Sequence, residues 1–414
     1  MRVCMLVYNP LTHDARVFRE ASALAAEGHS VDVVGFHVRG LEEVEARDGF
    51  TIRRIRRRSL RVWLRRQRRR LGWAWLRLLA ALGRPRSPQT LPAAGPGGVL
   101  QRWQKLLDYW WQGYRLAREL PPADVYHAHD LNTLPLGVAA ARRAGAALVY
   151  DSHELFPERQ VLRLAEKPVW RLIERLLIKR ADRMITVSDR YAEEFVRRYG
   201  VERPLVLLNC PELRGRVPAN GSGRSLRRKA DLDGDAPIVI FQGLIALERG
   251  LEDLVAAAKQ LPEVAVVMLG QGSFIPQLQE LVDAEGVGDR VKLPGPVPSE
   301  ELLSYTAGAT IGVAPIEGGS LSQAYTVQNK IFEYMGAGLP IVATRLPGTE
   351  RIIEEHEVGL FCEPGDVGGL ADAIRRLLTD QELYRRLREN AIAASKIFNW
   401  EQESKKLLAL YATL

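Results

Sequence analysis

The sequence predicts an α/β protein of two doubly wound domains, each a mostly parallel sheet covered by helices on both faces. Three observations carry this. The chain has 414 residues, too many for one simple core and suited to two domains of about 200 residues. Short β-branched runs alternate with amphipathic helical segments. The alternation stops at a polar, Gly-rich, cationic stretch from Arg214 to Lys229, then restarts.

Arg2 to Tyr8 reads as a strand. Ala15 to Glu27 reads as a helix, because Val17, Phe18, Ala21, Leu24 and Ala25 recur at helical spacing and Gly28 stops it. Val31 to Gly35 is the next strand. Further strands are expected at Val125 to Ala128, Ala147 to Asp151, Met184 to Val187 and Leu205 to Leu208, with helices at Leu136 to Arg143, Pro168 to Arg180 and Asp189 to Tyr199. The second series places strands at Ile238 to Phe241, Ala265 to Leu269, Arg290 to Leu293, Thr310 to Ala314 and Pro340 to Ala343. Its helices are Gly250 to Gln260, Ile275 to Glu285, Ser299 to Ala307, Gln328 to Met335 and Val367 to Thr379, and Gln381 to Leu414 is helical in pattern. The expected domains are 1–209, with an insert at about 53–113, and 210–395. Residues 396–414 are expected to form a helix crossing back to the first.

Hydrophobic content of 46% and charged content of 26% are those of a globular protein. The three cysteines, Cys4, Cys210 and Cys362, show neither disulfide nor zinc spacing, which points to a reducing cytosol. Val3 to Tyr8 has strand length and is not a signal-peptide core. Asp231 to Asp235 imitates a calcium loop, but the twelfth position is Gln242 and not Glu, so it reads as a turn.

In doubly wound sheets, ligands lie beyond the carboxyl ends of the strands. Polar clusters fall there repeatedly: Asn9-Pro10, His127-Ala128-His129-Asp130, Asp151-Ser152-His153-Glu154, Ser188-Asp189 and Asn209-Cys210-Pro211 in the first half. Gln242-Gly243, Gly270-Gln271-Gly272 and Pro315 to Gly319 follow in the second. An active site in the cleft between the halves is the expectation. Of His127 and His129, on one strand, only one is expected to face it. Ser152 and His153 are sequence neighbours on opposite sides of a strand, which argues against a hydrolytic triad. The segment Asn329 to Thr344 places Lys330 and Glu333 on one helix face, a spacing suited to a diphosphate and a sugar diol. An ordinary surface pair has the same spacing.

These residues resemble the GT4 glycosyltransferases. The resemblance runs along nearly the whole chain outside the insert. It rests on Asp14 to Ala21 with Glu27-Gly28-His29, on Asp124 to Asp130, and on Val149 to Glu158. It rests further on Phe241-Gln242-Gly243 with Glu248-Arg249-Gly250-Leu251, and on Asn329 to Gly338. It implies the two-domain GT-B fold and a retaining transfer from a UDP- or GDP-linked sugar, with no cofactor and no metal. It implies that Arg249 and Lys330 hold the diphosphate and stabilise the leaving group. Glu333 would take the ribose hydroxyls, and Gly243 and Gly270 would lie at the nucleotide. His153 would face the donor sugar. Three features depart from the family pattern. Tyr325 stands where relatives often carry a second Glu, Leu244 where an Arg often follows the loop Gly, and the loop from Glu317 to Val327 is long. Glu317 is a candidate for the missing carboxylate. A nucleotide-sugar epimerase of the same fold and a non-catalytic nucleotide-sugar binder remain alternatives.

The net charge of +8 hides an asymmetry. Arg53 to Arg86 holds 14 arginines, no lysine and no acid, so the rest of the chain carries −6. Between Arg53 and Trp111 lie six of the eight tryptophans. Leu71 to Leu82 is nearly all apolar but spans only about 18 Å as a helix, too short to cross a bilayer. Trp with Arg suits an anionic headgroup boundary. The run from Arg84 to Gly98 reads as a hinge. The expectation is a peripheral enzyme at the inner face of the cell membrane, taking a membrane-proximal or lipid-linked glycan acceptor in polysaccharide biosynthesis. Packing of the tryptophans on the first domain is the alternative. Arg with aromatics is also compatible with single-stranded nucleic acid, but no recognition fold surrounds them.

Overall fold

The computed structural model describes residues 1–12, 14–56, 96–160, 162–213 and 224–414. Fourteen strands are described: β1 Arg2–Leu6, β2 Ser30–Phe36, β3 Val44–Arg47, β4 Phe50–Ile55, β5 Val125–His129, β6 Ala147–Ser152, β7 Arg183–Thr186, β8 Leu205–Val206, β9 Ile238–Leu244, β10 Ala265–Gln271, β11 Val291–Gly295, β12 Ile311–Ala314, β13 Ile341–Thr344 and β14 Gly359–Cys362. The described helices of the first half are α1 Ala15–Ala26, α2 Pro96–Glu119, α3 Leu134–Ala144, α4 Lys167–Leu177 and α5 Asp189–Tyr199. Those of the second half are α6 Arg224–Lys229, α7 Leu251–Lys259, α8 Ile275–Ala284, α9 Leu302–Thr306, α10 Leu321–Tyr325, α11 Asn329–Gly336, α12 Pro347–Glu355, α13 Val367–Thr379, α14 Gln381–Ser395 and α15 Trp400–Tyr411.

One sheet has eight strands in the order β3-β4-β2-β1-β5-β6-β7-β8 and the other six, β11-β10-β9-β12-β13-β14. Each is doubly wound. Strand order reverses between β1 and β5 in the first, and between β9 and β12 in the second. Those switch points are where such sheets hold ligands. Contacts divide the chain into two compact units, Met1–Asp151 with Leu176–Arg183, and Ser152–Arg175 with Met184–Leu414.

Strands buried on both faces give continuous apolar runs. In β9, Val239 and Phe241 enter one core with Leu254, Met268 and Leu370. Ile238 and Ile240 enter the other with Ile331, Phe332 and Met335. Helix α15 is capped by Asn399, and its Glu403 accepts from the Leu208 amide at 2.9 Å.

Four local readings are corrected. The basic run does not begin as an insert, because Arg53 and Arg54 belong to β4. Asp48 and Gly49, both at positive φ, form the turn that pairs β4 antiparallel with β3. Arg53 bonds Asp32 at 2.6 Å, and buried Arg54 donates to the carbonyls of Pro10, Leu11 and Glu42 and to Glu45. Pro96 to Gly98 open α2 and so are not part of a hinge. The stretch from Glu317 to Val327 holds α10, capped by Ser320. Past Thr344, α12 and β14 extend the second sheet.

In α2, Tyr109 donates to the carbonyls of Val7 and Val34, and Trp110 donates to Asn132. These two aromatics pack on the first sheet, whereas Trp111 is exposed. The apolar run Leu71 to Leu82, with Trp63, Trp73, Trp75 and the arginines from Arg57 to Arg86, lies outside the described residues.

Candidate nucleotide site and family membership

In the second unit the site starts from one tyrosine. Tyr334 on α11 is buried, and its hydroxyl reaches the carbonyls of Ile240 on β9 and Val313 on β12, both at 3.0 Å. Its ring lies against Gly312, where a Cβ would come within 2.4 Å of Cγ. Tyr334 thus fixes α11 over the β9/β12 switch point. Lys330 lies one turn earlier on α11, with Glu333 beside it.

Lys330 is buried, and its ammonium sits 3.5 Å above the centre of the Phe241 ring. Burial pushes that ammonium well below its usual range; Arg249 adds to the push, and Glu333 opposes it. Burial also lowers Arg249, against the pull of Glu248. Two cations therefore sit together where the protein only partly compensates them, an arrangement an anion would relieve.

Glu333 is oriented by a relay. Thr306 on α9 bonds Oε1 of Gln242 at 2.7 Å, and Nε2 of Gln242 donates to Glu333 at 2.5 Å. The opposite amide orientation would set two oxygens face to face, so the network fixes the assignment. Gln242 is buried at the end of β9. Sequence reasoning placed it in a strand-end cluster but gave it no role; its position before Gly243 was the available signal.

Gly243 has φ +123, which side chains rarely adopt, and a Cβ there would stand 3.9 Å from Cε of Lys330. Gly250, at φ +65, turns the chain into α7; a Cβ there would fall 1.8 Å from the Pro315 carbonyl oxygen. Gly270 has a different reason, since its Cβ would meet the Gly243 carbonyl at 1.8 Å. It keeps β10 close to β9. Leu244 is exposed. Glu317 has its carboxyl pushed up by burial and by Glu252, Asp253 and Glu248. The Tyr325 carbonyl accepts from Ser188 at 2.7 Å.

His153 is half-buried just after β6, and the Ser152 hydroxyl donates to the Glu154 carbonyl. That engagement agrees with the argument against a Ser-His nucleophile.

The first unit carries a buried ionic cluster at the ends of β5 and β6. Arg16 on α1 contacts Asp151 at 2.9 Å and Glu20 at 2.9 Å. His127 and His129 share one strand face, as residues two apart must, which corrects the expectation that they diverge. Their rings stack at 4.3 Å with 11° between planes. Nδ1 of His129 lies 3.5 Å from Asp151. Ligand atoms of Glu20, His127, His129 and Asp151 lie within 4.8 Å of one another, a donor set that suits a metal in kind. The geometry does not suit one. Lone pairs of near-parallel stacked rings do not converge on a point, and Arg16 already bridges both carboxylates. The cluster is an ionic buttress under the β1/β5 switch point.

Comparison with known proteins agrees with this architecture. Residues 14–211 match the family described as glycosyl transferase 4-like domain, and residues 223–394 match glycosyl transferases group 1. The D-inositol 3-phosphate glycosyltransferase of Xylanimonas cellulosilytica is 28% identical over 304 residues, covering 70% of this chain and 72% of that protein. The alpha-D-kanosaminyltransferase of Streptomyces kanamyceticus is 30% identical over 232 residues, 54% of this chain and 58% of that protein. Among solved structures, sucrose-phosphate synthase of Thermosynechococcus elongatus superposes with a TM-score of 0.76 at 20% identity, covering 100% of this chain and 98% of that one. Anabaena Alr3699/HepE, in complex with UDP and glucose, gives 0.73 at 15% identity over 100% of both chains. With both family matches spanning its two α/β sheets, this chain has the GT-B fold and belongs to the GT4 glycosyltransferases.

Proposed function

We propose that the enzyme moves a sugar, with retention of anomeric configuration, from a nucleotide-diphosphate sugar to a membrane-proximal or lipid-linked glycan acceptor. The observation that carries the donor half is the pairing of Arg249 with buried Lys330 beside Glu333 at the β9/β12 switch point. Negative charge builds on the departing diphosphate in the transition state, so fixed cations there accelerate the step as well as bind. Glu333, held by Gln242, accepts from the ribose hydroxyls. His153 faces the donor sugar. Capture of UDP by Anabaena HepE supports a uridine donor, with GDP as the other candidate. The arginine-rich composition of residues 57–86 supports a membrane-proximal acceptor and a position at the cytoplasmic face. Among the described residues, no helix is long and apolar enough to cross a membrane.

Incubation with UDP- and GDP-sugars tests this. Release of nucleoside diphosphate with glycosylated product supports transfer, and the anomeric coupling of that product reads retention. A new sugar isomer would point to an epimerase, and binding without turnover to a non-catalytic binder.

The relay gives a sharper expectation. Gln242→Leu should raise KM for the donor about tenfold with a smaller change in kcat, as loss of a charge-assisted hydrogen bond implies. Gln242→Glu faces one carboxylate with another, so its donor affinity should recover as pH falls and one of them protonates. A pH-independent KM in that variant would count against the relay.

A further inference from the structure

Helix α4 inverts the usual pattern of a surface helix. Its inner side carries Trp170 and Glu174. Trp170 packs edge-on against Phe156 at 4.8 Å, and Glu174 accepts from Tyr199 at 2.5 Å. The outer side of such a helix is normally polar. Here Val169, Leu172 and Leu176, at i, i+3 and i+7, are 45%, 56% and 62% exposed, and Leu164 just before the helix is 84% exposed. At about 100° per residue, Leu172 and Leu176 point almost directly away from the Trp170/Glu174 row.

Charge completes the pattern. Arg171 and Arg175 lie on one flank at four-residue spacing, and exposed Lys179 and Arg180 follow in the 3-10 turn after the helix. Arg171 is paired with Glu158. Between Arg163 and Arg180 the acids are Glu166 and Glu174, both buried. A row of leucines beside a row of cations, with no exposed acid of its own, complements an anionic lipid surface. The leucines suit the acyl boundary and the cations the phosphates. Eleven residues of helix reach only about 16 Å, so this segment lies flat and does not cross.

We propose that α4 is a membrane-docking helix that seats the enzyme on an anionic bilayer through Val169, Leu172 and Leu176. This names the surface through which the membrane-proximal reading operates, and rests on that reading. It does not depend on residues 57–95.

The test is flotation of the full chain with phosphatidylcholine vesicles, with and without phosphatidylglycerol. Wild type should float with the anionic vesicles, and Leu172→Glu/Leu176→Glu should partition at least tenfold more weakly. Val44→Glu, a substitution at an exposed valine elsewhere, should float as wild type. The double variant should keep its thermal midpoint and its rate of nucleoside diphosphate release without vesicles, since it touches neither core nor nucleotide site. The proposal is overturned if the double variant floats like wild type, including the case in which deletion of 57–95 alone abolishes flotation. It is also overturned if wild type ignores anionic vesicles, or if the substitutions only convert a dimer to a monomer in light scattering. Flotation through α4 without transfer to a lipid-linked acceptor would leave docking standing and remove the acceptor reading.

Discussion

Lys330→Ala is expected to lower kcat by about 10²–10³-fold, the loss seen when one fixed electrostatic partner of a transition state is removed. The argument rests on burial. An exposed lysine would be replaced by water and screened, but Lys330 is enclosed between the Phe241 ring and the β9 turn, with Arg249 close enough to depress it. Arg249→Ala should cost a similar factor. The double variant should cost less than the product, because both cations serve one developing charge. A proton signature accompanies this. The free-state ammonium lies well below 10.5, and a bound diphosphate moves it back up. Between those two values binding takes up a proton, so affinity falls as pH rises through that window. Titration calorimetry across a pH series, in two buffers of different ionisation enthalpy, reads the uptake, and Lys330→Arg should abolish it. Wild-type kcat in Lys330→Ala would sink the assignment.

Arg16→Ala is expected to destabilise the first unit by about 3–5 kcal/mol, as removing one partner of a buried ion pair does. Arg16 sits on both Asp151 and Glu20, with His127 and His129 stacked beside them. Without the guanidinium, two carboxylates stay buried among groups arranged for a cation. The discriminating comparison is the triple variant Arg16→Met/Glu20→Gln/Asp151→Asn. It removes the charges together and should be more stable than Arg16→Ala alone. Urea unfolding measures both, and a cost below about 1 kcal/mol for Arg16→Ala would refute the buttress.

Most of the fold was legible because buried parallel strands write themselves as apolar runs. Asp189 to Tyr199 and Val367 to Thr379 coincide with observed helices, each opened by a side-chain cap from Ser188 or Asp366. What was missed had specific causes. Strand β4 was hidden because its arginines join a longer basic run, although Asp48-Gly49 is a hairpin signal. Helix α10 has five residues and little periodicity to detect. Spacing and family pattern singled out Lys330, Glu333, Arg249 and Gly243, which the structure brings together. The Thr306–Gln242–Glu333 relay was not, since it joins residues 64 and 91 positions apart. The misassigned histidines came from treating alternate residues as opposed, when a strand opposes only consecutive ones.

The anchoring of Tyr334 has a mechanical side. The helix that carries Lys330 and Glu333 is bolted through one hydroxyl to two central strands, so its position follows the sheet itself. The neighbouring stretch from Glu317 to Val327 is held differently: α10 is tied to α5 and its cap, through the Tyr191 hydroxyl to the Ser322 carbonyl at 2.5 Å and through Ser188 to the Tyr325 carbonyl at 2.7 Å. The departures at Leu244 and Tyr325 fall outside the bolted helix. The two neighbouring segments are thus held by separate anchors, α11 by the sheet and α10 by a helix.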